Sequence, residues 1–425
     1  MPSIEKRRGT FRSLRSFNYR LWAIGALISN VGTWMQRTAQ DWIVLTDLTA
    51  HNATAVGITM GLQFGPQLLL LPFTGFVADH FDRRKLLFAT QAAMGFLALG
   101  LGLVTLTGWV RLWQVYVFAA LLGCVTAFDS TVRHTFVSEL VSDTDLSNAV
   151  ALNSSSFNAA RMTGPAIAGL LIATVGSGWV FLINGATFVA TLCALGMLRR
   201  EKLYPRERAV RARGNFIEGF RYVWARPNIR SVLLMMFLFG TFGLNFPIYI
   251  STMAVKVFGM GPDGFGALSS MMATGSVIGA LLSAKREEPN VATLIAGGML
   301  FGLGLMLAAL MPGYWLFGTM LALAGLSAQA FNTTANSTVQ LRTDPSMRGR
   351  VMAILLALSA GGTLFGAPIV GWVADRFGPR SALGVGASAG FGAALIGLSY
   401  LAKYRQLRVR LRAGRLRFNI DEDVS

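Results

Sequence analysis

The chain has 425 residues, of which 53% are hydrophobic and 14% are Asp, Glu, Lys or Arg; an average soluble domain carries roughly a quarter charged residues, so this composition excludes an ordinary soluble globular protein. The net charge of +18 comes from 38 basic against 20 acidic residues, but the bases crowd into short segments between long apolar runs, which argues against a nucleic-acid-binding surface. Cys124 and Cys193 lie inside apolar runs and, with three histidines, offer neither a disulfide framework nor metal-ligand spacing, so no metal or cofactor is expected.

A helix needs roughly 20 mostly apolar residues to cross about 30 Å of hydrocarbon, where the backbone must satisfy its own hydrogen bonds. Stretches of that length run, in chain order, over 21–45, 55–78, 86–107, 112–136, 146–175 and 179–198, then 231–254, 265–284, 291–311, 314–339, 351–374 and 382–402. The expected fold is an all-α integral membrane protein with twelve transmembrane helices in two six-helix bundles, 21–198 and 231–402. A basic arm, 1–20, precedes the first span, whose apolar stretch is too long for a cleavable signal.

Most bases sit in that arm, at 83–85, in the linker 199–230, and in the tail 403–425, whereas the opposite loops hold Arg111, Lys256, Arg376 and Arg380. The positive-inside bias therefore predicts that both termini, the linker and the tail are cytoplasmic. Within the linker Phe216, Phe220, Val223 and Trp224 recur at helical spacing beside Arg221 and Arg226, predicting an amphipathic helix on the inner membrane surface. The tail alternates basic and apolar residues from Arg405 to Arg417 and reads as a surface-associated or disordered extension.

The two halves repeat. Gly164-Pro165-Ala166-Ile167-Ala168-Gly169 followed by Gly176 matches Gly366-Ala367-Pro368-Ile369-Val370-Gly371 followed by Gly378, 202 residues further on. A parallel six-plus-six duplication accounts for this and places a site near the membrane midplane between the halves, which directs attention to polar residues inside spans.

In the first span Asn30, Trp34, Arg37 and Asp41 share one helical face, with Gln36 and Gln40 beside it. A charge in hydrocarbon costs roughly 3 kcal/mol or more, so Arg37 and Asp41 should face a cavity or each other; they are spaced to pair, as a proton-sensitive couple or a structural one. The fifth span repeats the design with Ser154, Asn158, Arg161 and Pro165, and Asn153 nearby; Arg161 has no acid on its own helix and needs a partner elsewhere, a substrate anion or water, or serves as a structural hydrogen-bonding group. In the second half Asn245, Asn332 and Asn336 are polar but uncharged candidates for the substrate cavity or for helix packing. Asp129 and Arg133 form another pair at i, i+4, for which a structural or gating role is expected.

The run from Gly75 through Asp79 to Arg83, Arg84 and Lys85 combines a glycine for close approach, an acid able to meet a neighbouring helix N-terminus, and bases for carboxylates or lipid phosphate. These are the parts of a gate. There is no HExxH, no GxxxxGK[ST] and no GxSxG with a plausible triad, so neither an enzyme nor an ATP-driven motor is expected.

On these residues the chain resembles the major facilitator superfamily over nearly its whole length. Gly75, Asp79, Arg83 and Arg84 match that superfamily's loop between helices two and three, with His80 in place of the usual Arg and Asp82 in place of the common Gly. Gly164, Pro165 and Gly169 are similar to the antiporter motif of proton-coupled drug exporters, although Ala151 and Ala160 replace its earlier glycines. The strings Gly32 to Arg37, Ala39 to Trp42, Asn148 to Asn153 and Arg348 to Met352 resemble the bacterial branch of enterobactin-exporter and macrolide-efflux permeases.

The resemblance implies a central cavity opening alternately to each side of a bacterial inner membrane. It further implies export of small amphipathic compounds, such as drugs, macrolides or siderophores, driven by protons, with Asp41 as proton acceptor and Arg37 tuning it. One chain would hold both bundles and act as a monomer in the lipid bilayer. The alternatives are an importer or facilitator of a polar or anionic nutrient held by Arg161, a lipid transporter, or a membrane scaffold, the last disfavoured by charges inside the spans.

Overall fold

The computed structural model describes residues 11–204, 216–284, 291–344, 347–404, 408–412 and 415–419. Its helices are α1 (Phe17–Thr46), α2 (Ala53–Leu69), α3 (Leu71–His80), α4 (Arg83–Leu106), α5 (Leu112–Phe136), α6 (Asp143–Val175) and α7 (Ser177–Met197). There follow α8 (Phe216–Ala225), α9 (Pro227–Leu238), α10 (Phe246–Thr252), α11 (Pro262–Ala284), α12 (Val291–Leu310), α13 (Tyr314–Arg342), α14 (Arg348–Phe377) and α15 (Pro379–Tyr404).

Among the described residues, 9 helical segments are long and apolar enough to cross a membrane. The other expected spans are helical too, but α2 is short, while α1 and α6 are too polar; those two carry the buried or half-buried Arg37, Asp41 and Arg161. Large apolar side chains such as Phe96, Leu170, Leu281 and Leu395 point outward and exposed, which suits a lipid-facing surface and would be an aggregation hazard in water.

Two spans expected as continuous are broken. The second divides into α2 and α3 at Leu70, with Pro72 at the start of α3, where its missing N–H costs nothing. The seventh leaves α9 through a π-helical turn, Phe239–Gly243, passes Leu244 and Asn245, and resumes as α10 and a second π-helical turn, Met253–Val257. Such interruptions survive in hydrocarbon only where protein covers the freed backbone groups.

The chain divides into two compact units: Met1–Ala212 with Pro247–Ser270 and Ala367–Arg376, and Arg213–Phe246 with Met271–Gly366 and Phe377–Ser425. In the first, Trp22 packs edge-on against Phe136 among Leu87, Val132 and Leu195, and the buried Tyr19 hydroxyl donates to the Ala149 carbonyl at 2.8 Å. Asn18 exchanges two hydrogen bonds with the backbone of Arg199, tying the start of α1 to the segment after α7. In the second, α12 and α15 meet at glycines: a Cβ on Gly298 would press on the Gly390 carbonyl, and one on Gly390 on the Gly298 carbonyl and Gly302. Small residues let backbones approach where lipid supplies no hydrophobic drive between helices.

The helix α8 coincides with the amphipathic stretch read from the sequence. The tail contains an antiparallel hairpin, β1 (Arg408–Arg412) and β2 (Arg415–Asn419), with Arg410 opposite Arg417, rather than an extension without secondary structure. Its basic–apolar alternation has the period of a strand.

Candidate functional site

In the first unit the polar face of α1 is sealed from solvent: Asn30, Gln36, Arg37, Gln40 and Asp41 are all buried. The structure separates these residues into three environments. Gln36 accepts from Asn184 on α7 at 2.6 Å, and Gln40 accepts from Gln63 on α2 at 3.1 Å, so both join helices to one another. Asn30 belongs to a different cluster, accepting from Arg133 at 3.2 Å.

That cluster is closed. Arg133 donates twice to Asp129 Oδ2, at 2.9 and 3.1 Å, while Thr90 and Gln91 of α4 donate to Oδ1 at 2.8 and 2.7 Å. The guanidinium also lies 5.4 Å from the Trp22 ring centroid. With donors on both carboxylate oxygens, the ion pair meets the condition under which buried charges are tolerated.

Arg37 and Asp41 are in the opposite condition. Both are 5% exposed, yet no hydrogen bond or ion pair joins them among the described residues. Helical side chains lean toward the N-terminus, and the Arg37 guanidinium sits 5.2 Å from the Trp34 ring and 4.5 Å from the Phe64 ring. Its Nε and Asp41 Oδ1 are buried without hydrogen-bond partners. Sequence spacing predicts a pair at this point; the aromatic rings take the guanidinium instead.

Trp34 completes an aromatic box, 6.3 Å from Phe64 and 6.0 Å edge-on from Phe157. Gly164 makes room for it, since a Cβ there would collide with Trp34 Cβ. Phe64 and Phe157 escape a sequence reading because they reach the site from α2 and α6, and no spacing within one helix links them to Arg37. Of the other α6 candidates, Asn153, Asn158 and Arg161 are all half-buried, and Asn158 donates to the Ser154 carbonyl at 2.9 Å.

In the second unit Asn245 occupies the break between the π-helical turn and α10. It is fully buried, its Nδ2 donates to the Thr241 carbonyl at 2.8 Å, and its Oδ1 has no partner. Asn336 donates to both the Oδ1 and the carbonyl of Asn332, so these two largely satisfy one another on α13.

The gate residues read from the sequence are dispersed. Gly75 has no neighbour where a Cβ would stand, and Asp79 lies in α3 with its side chain outside the described residues. Arg83 forms an ion pair with Glu139, and Arg84 donates to the Leu195 and Gly196 carbonyls near the end of α7, where a cation suits the helix dipole. Gly169 faces Gly266 on α11 so closely that a Cβ would strike its Cα. Pro165 lies within α6.

A polar cluster that the sequence reading missed lies at the end of α14. Asp375 accepts from the Ala53 and Thr54 amides, the Thr54 hydroxyl and Lys256. Its signal was available: Gly371-Trp372-Val373-Ala374-Asp375-Arg376-Phe377 echoes Gly75-Phe76-Val77-Ala78-Asp79-His80-Phe81.

The family model described as transmembrane secretion effector matches residues 8–417. The chain is 25% identical over 352 residues to the staphyloferrin A transporter of Staphylococcus aureus, covering 82% of this chain and 87% of that one. It is 26% identical over 367 residues to the multidrug efflux pump Tap of Mycolicibacterium fortuitum, covering 83% and 88%. The enterobactin exporter EntS of Shigella boydii is 26% identical over 372 residues, covering 86% and 87%. Among solved structures, a bacterial homolog of the human lysosomal transporter Spinster superposes with a TM-score of 0.69 at 17% identity, covering 91% of this chain and 96% of that one. The nucleoside transporter NupG gives a TM-score of 0.69 at 11% identity, covering 90% and 99%.

Proposed function

Because the chain belongs to the transmembrane secretion effector family of the major facilitator superfamily, we propose that it exports small amphipathic compounds, of siderophore or drug type, in exchange for protons by alternating access. The observation that carries this reading is the α1 site, where a buried cation and a buried acid stand one turn apart without a bond between them, the cation resting over the Trp34 and Phe64 rings. An unpaired buried carboxylate is costly as an anion and readily held as an acid, so it suits a group that takes up and releases a proton.

In the proposed cycle Asp41 carries the proton, and Arg37, over Trp34 and Phe64, senses its charge. A bound compound and a bound proton must favour different states of the transporter, or no exchange results. In the first unit Trp34, Phe64 and Phe157 offer faces for the apolar or aromatic part of the compound, and Asn158 and Arg161 offer polar contacts; the polar candidates of the second unit are Asn245, Asn332 and Asn336. Arg83, Arg84, Asp129 and Arg133 hold helix ends in register during gating. The proposed location is a bacterial inner membrane, with both termini and the Arg83 end of the helices cytoplasmic and the Asn52 end outside. No further chain is required. The relatives, which include exporters of a siderophore and of drugs, support the substrate class.

The test is vectorial. Inside-out vesicles containing the protein, given an acid interior, should accumulate a labelled catecholate siderophore or macrolide above empty vesicles and lose the difference when the gradient is collapsed. Accumulation in intact cells instead would overturn export in favour of import.

A further inference from the structure

Asp375 stands two residues before the end of α14, where the dipole of its own helix disfavours an anion. Its partners explain the placement. Oδ1 accepts from the Ala53 amide at 2.9 Å and from Lys256 Nζ at 2.8 Å; Oδ2 accepts from the Thr54 amide at 2.8 Å and its hydroxyl at 2.7 Å. The first amides of a helix lack partners within it, and here the N-cap Asn52 takes the Ala55 amide while Asp375 takes those of Ala53 and Thr54. One carboxylate from 322 residues away thus completes the cap of α2.

Beneath this cap the two helices touch backbone to backbone. A Cβ on Gly371 would collide with the Ala53 carbonyl and Thr54 Cα, and one on Gly57 with the backbone of Ala367 and Pro368. Gly169 makes the corresponding contact with Gly266 in the other half of the duplication, and Gly176 and Gly378, both at positive φ, end α6 and α14 at equivalent places. All of the residues in these backbone contacts lie in the first unit. The symmetry fails at one point: the position equivalent to Asp375 is Ala173. The glycine contacts are therefore a duplicated packing device, and the carboxylate is an addition made on one side only.

We propose that Asp375 is the latch of the outer gate, holding the end of α14 to the start of α2 and to Lys256 while the outside is shut, so that its hydrogen bonds must break whenever the transporter opens outward. This rests on the alternating-access reading above. A cap of this kind is worth about 1 kcal/mol, or about a fivefold bias between closed and open populations.

The test is a distance distribution between spin labels on Trp109→Cys, in the loop before α5, and Trp315→Cys, at the start of α13, both exposed and on the proposed outer face, in full-length protein carrying Cys124→Ser and Cys193→Ser in lipid nanodiscs. Asp375→Ala should raise the ratio of long to short distances about fivefold, and Lys256→Met, which leaves the amide bonds, should raise it less. An unchanged distribution for Asp375→Ala in monodisperse protein overturns the latch. If that variant does not fold, Lys256→Met decides: a shift toward long distances supports the proposal and an unchanged distribution overturns it. Because the readout needs no substrate, silence in the vesicle assay with an intact shift would sink export and leave the latch, and the reverse would sink the latch alone.

Discussion

Arg37 and Asp41 lie one turn apart on α1, and the guanidinium rests over Phe64, 4.5 Å from its centroid, instead of against the carboxylate. A cation held by aromatic faces leaves the acid free to change charge without dismantling the cation's support. Asp41→Asn should therefore abolish proton-driven export while leaving thermal unfolding in detergent unchanged or raised, since an unpartnered buried acid contributes cost rather than stability. A lower unfolding temperature would mean that Asp41 is structural.

The aromatic box makes a separate prediction. Cation–π contacts are worth about 0.5–2 kcal/mol, so Phe64→Leu should weaken compound affinity by about 2- to 30-fold if the ring aligns Arg37 for binding. Equilibrium binding of a fluorescent compound checks this, and Phe64→Tyr, which keeps the ring, should restore most of the loss.

For the closed Asp129–Arg133 cluster the expectation runs the other way. Breaking a satisfied buried pair leaves a stranded charge, and Arg133→Leu should cost about 3–5 kcal/mol, whereas Arg133→Leu with Asp129→Leu should recover much of it. Unfolding in denaturant would show this. A double variant as unstable as the single one would mean that Thr90, Gln91 and Asn30 depend on the ion pair for their own placement.

Gly164→Ala should disturb the box without touching a charged group, because the added Cβ runs into Trp34. The expected result is lost compound binding with the protein still monodisperse. Unaltered binding would show that α6 can move aside and that Trp34 is not fixed by it.

Spacing made the polar face of α1 legible in the sequence, because residues three and four apart must share a helical face. It did not reveal what that face meets. Asn30, Gln36 and Gln40 look alike in the sequence, yet one joins the Asp129 cluster and the others meet α7 and α2. The duplication at Gly164 and Gly366 was also legible, as was the amphipathic α8. The broken seventh span was not read, although Gly240, Gly243 and Pro247 flank Asn245 and each disfavours an unbroken helix. Asp375 was overlooked although its motif copies the one around Asp79, because it falls outside the register of the duplication.

Proton exchange through Asp41 is tested most directly by proton movement in inside-out vesicles, followed with a pH-sensitive dye while siderophores, macrolides, cationic dyes and sugars are added in turn. The expected result is alkalinisation of the interior on addition of one amphipathic class, absent with sugars and lost in Asp41→Asn. Alkalinisation that persists undiminished in a folded Asp41→Asn protein would contradict it.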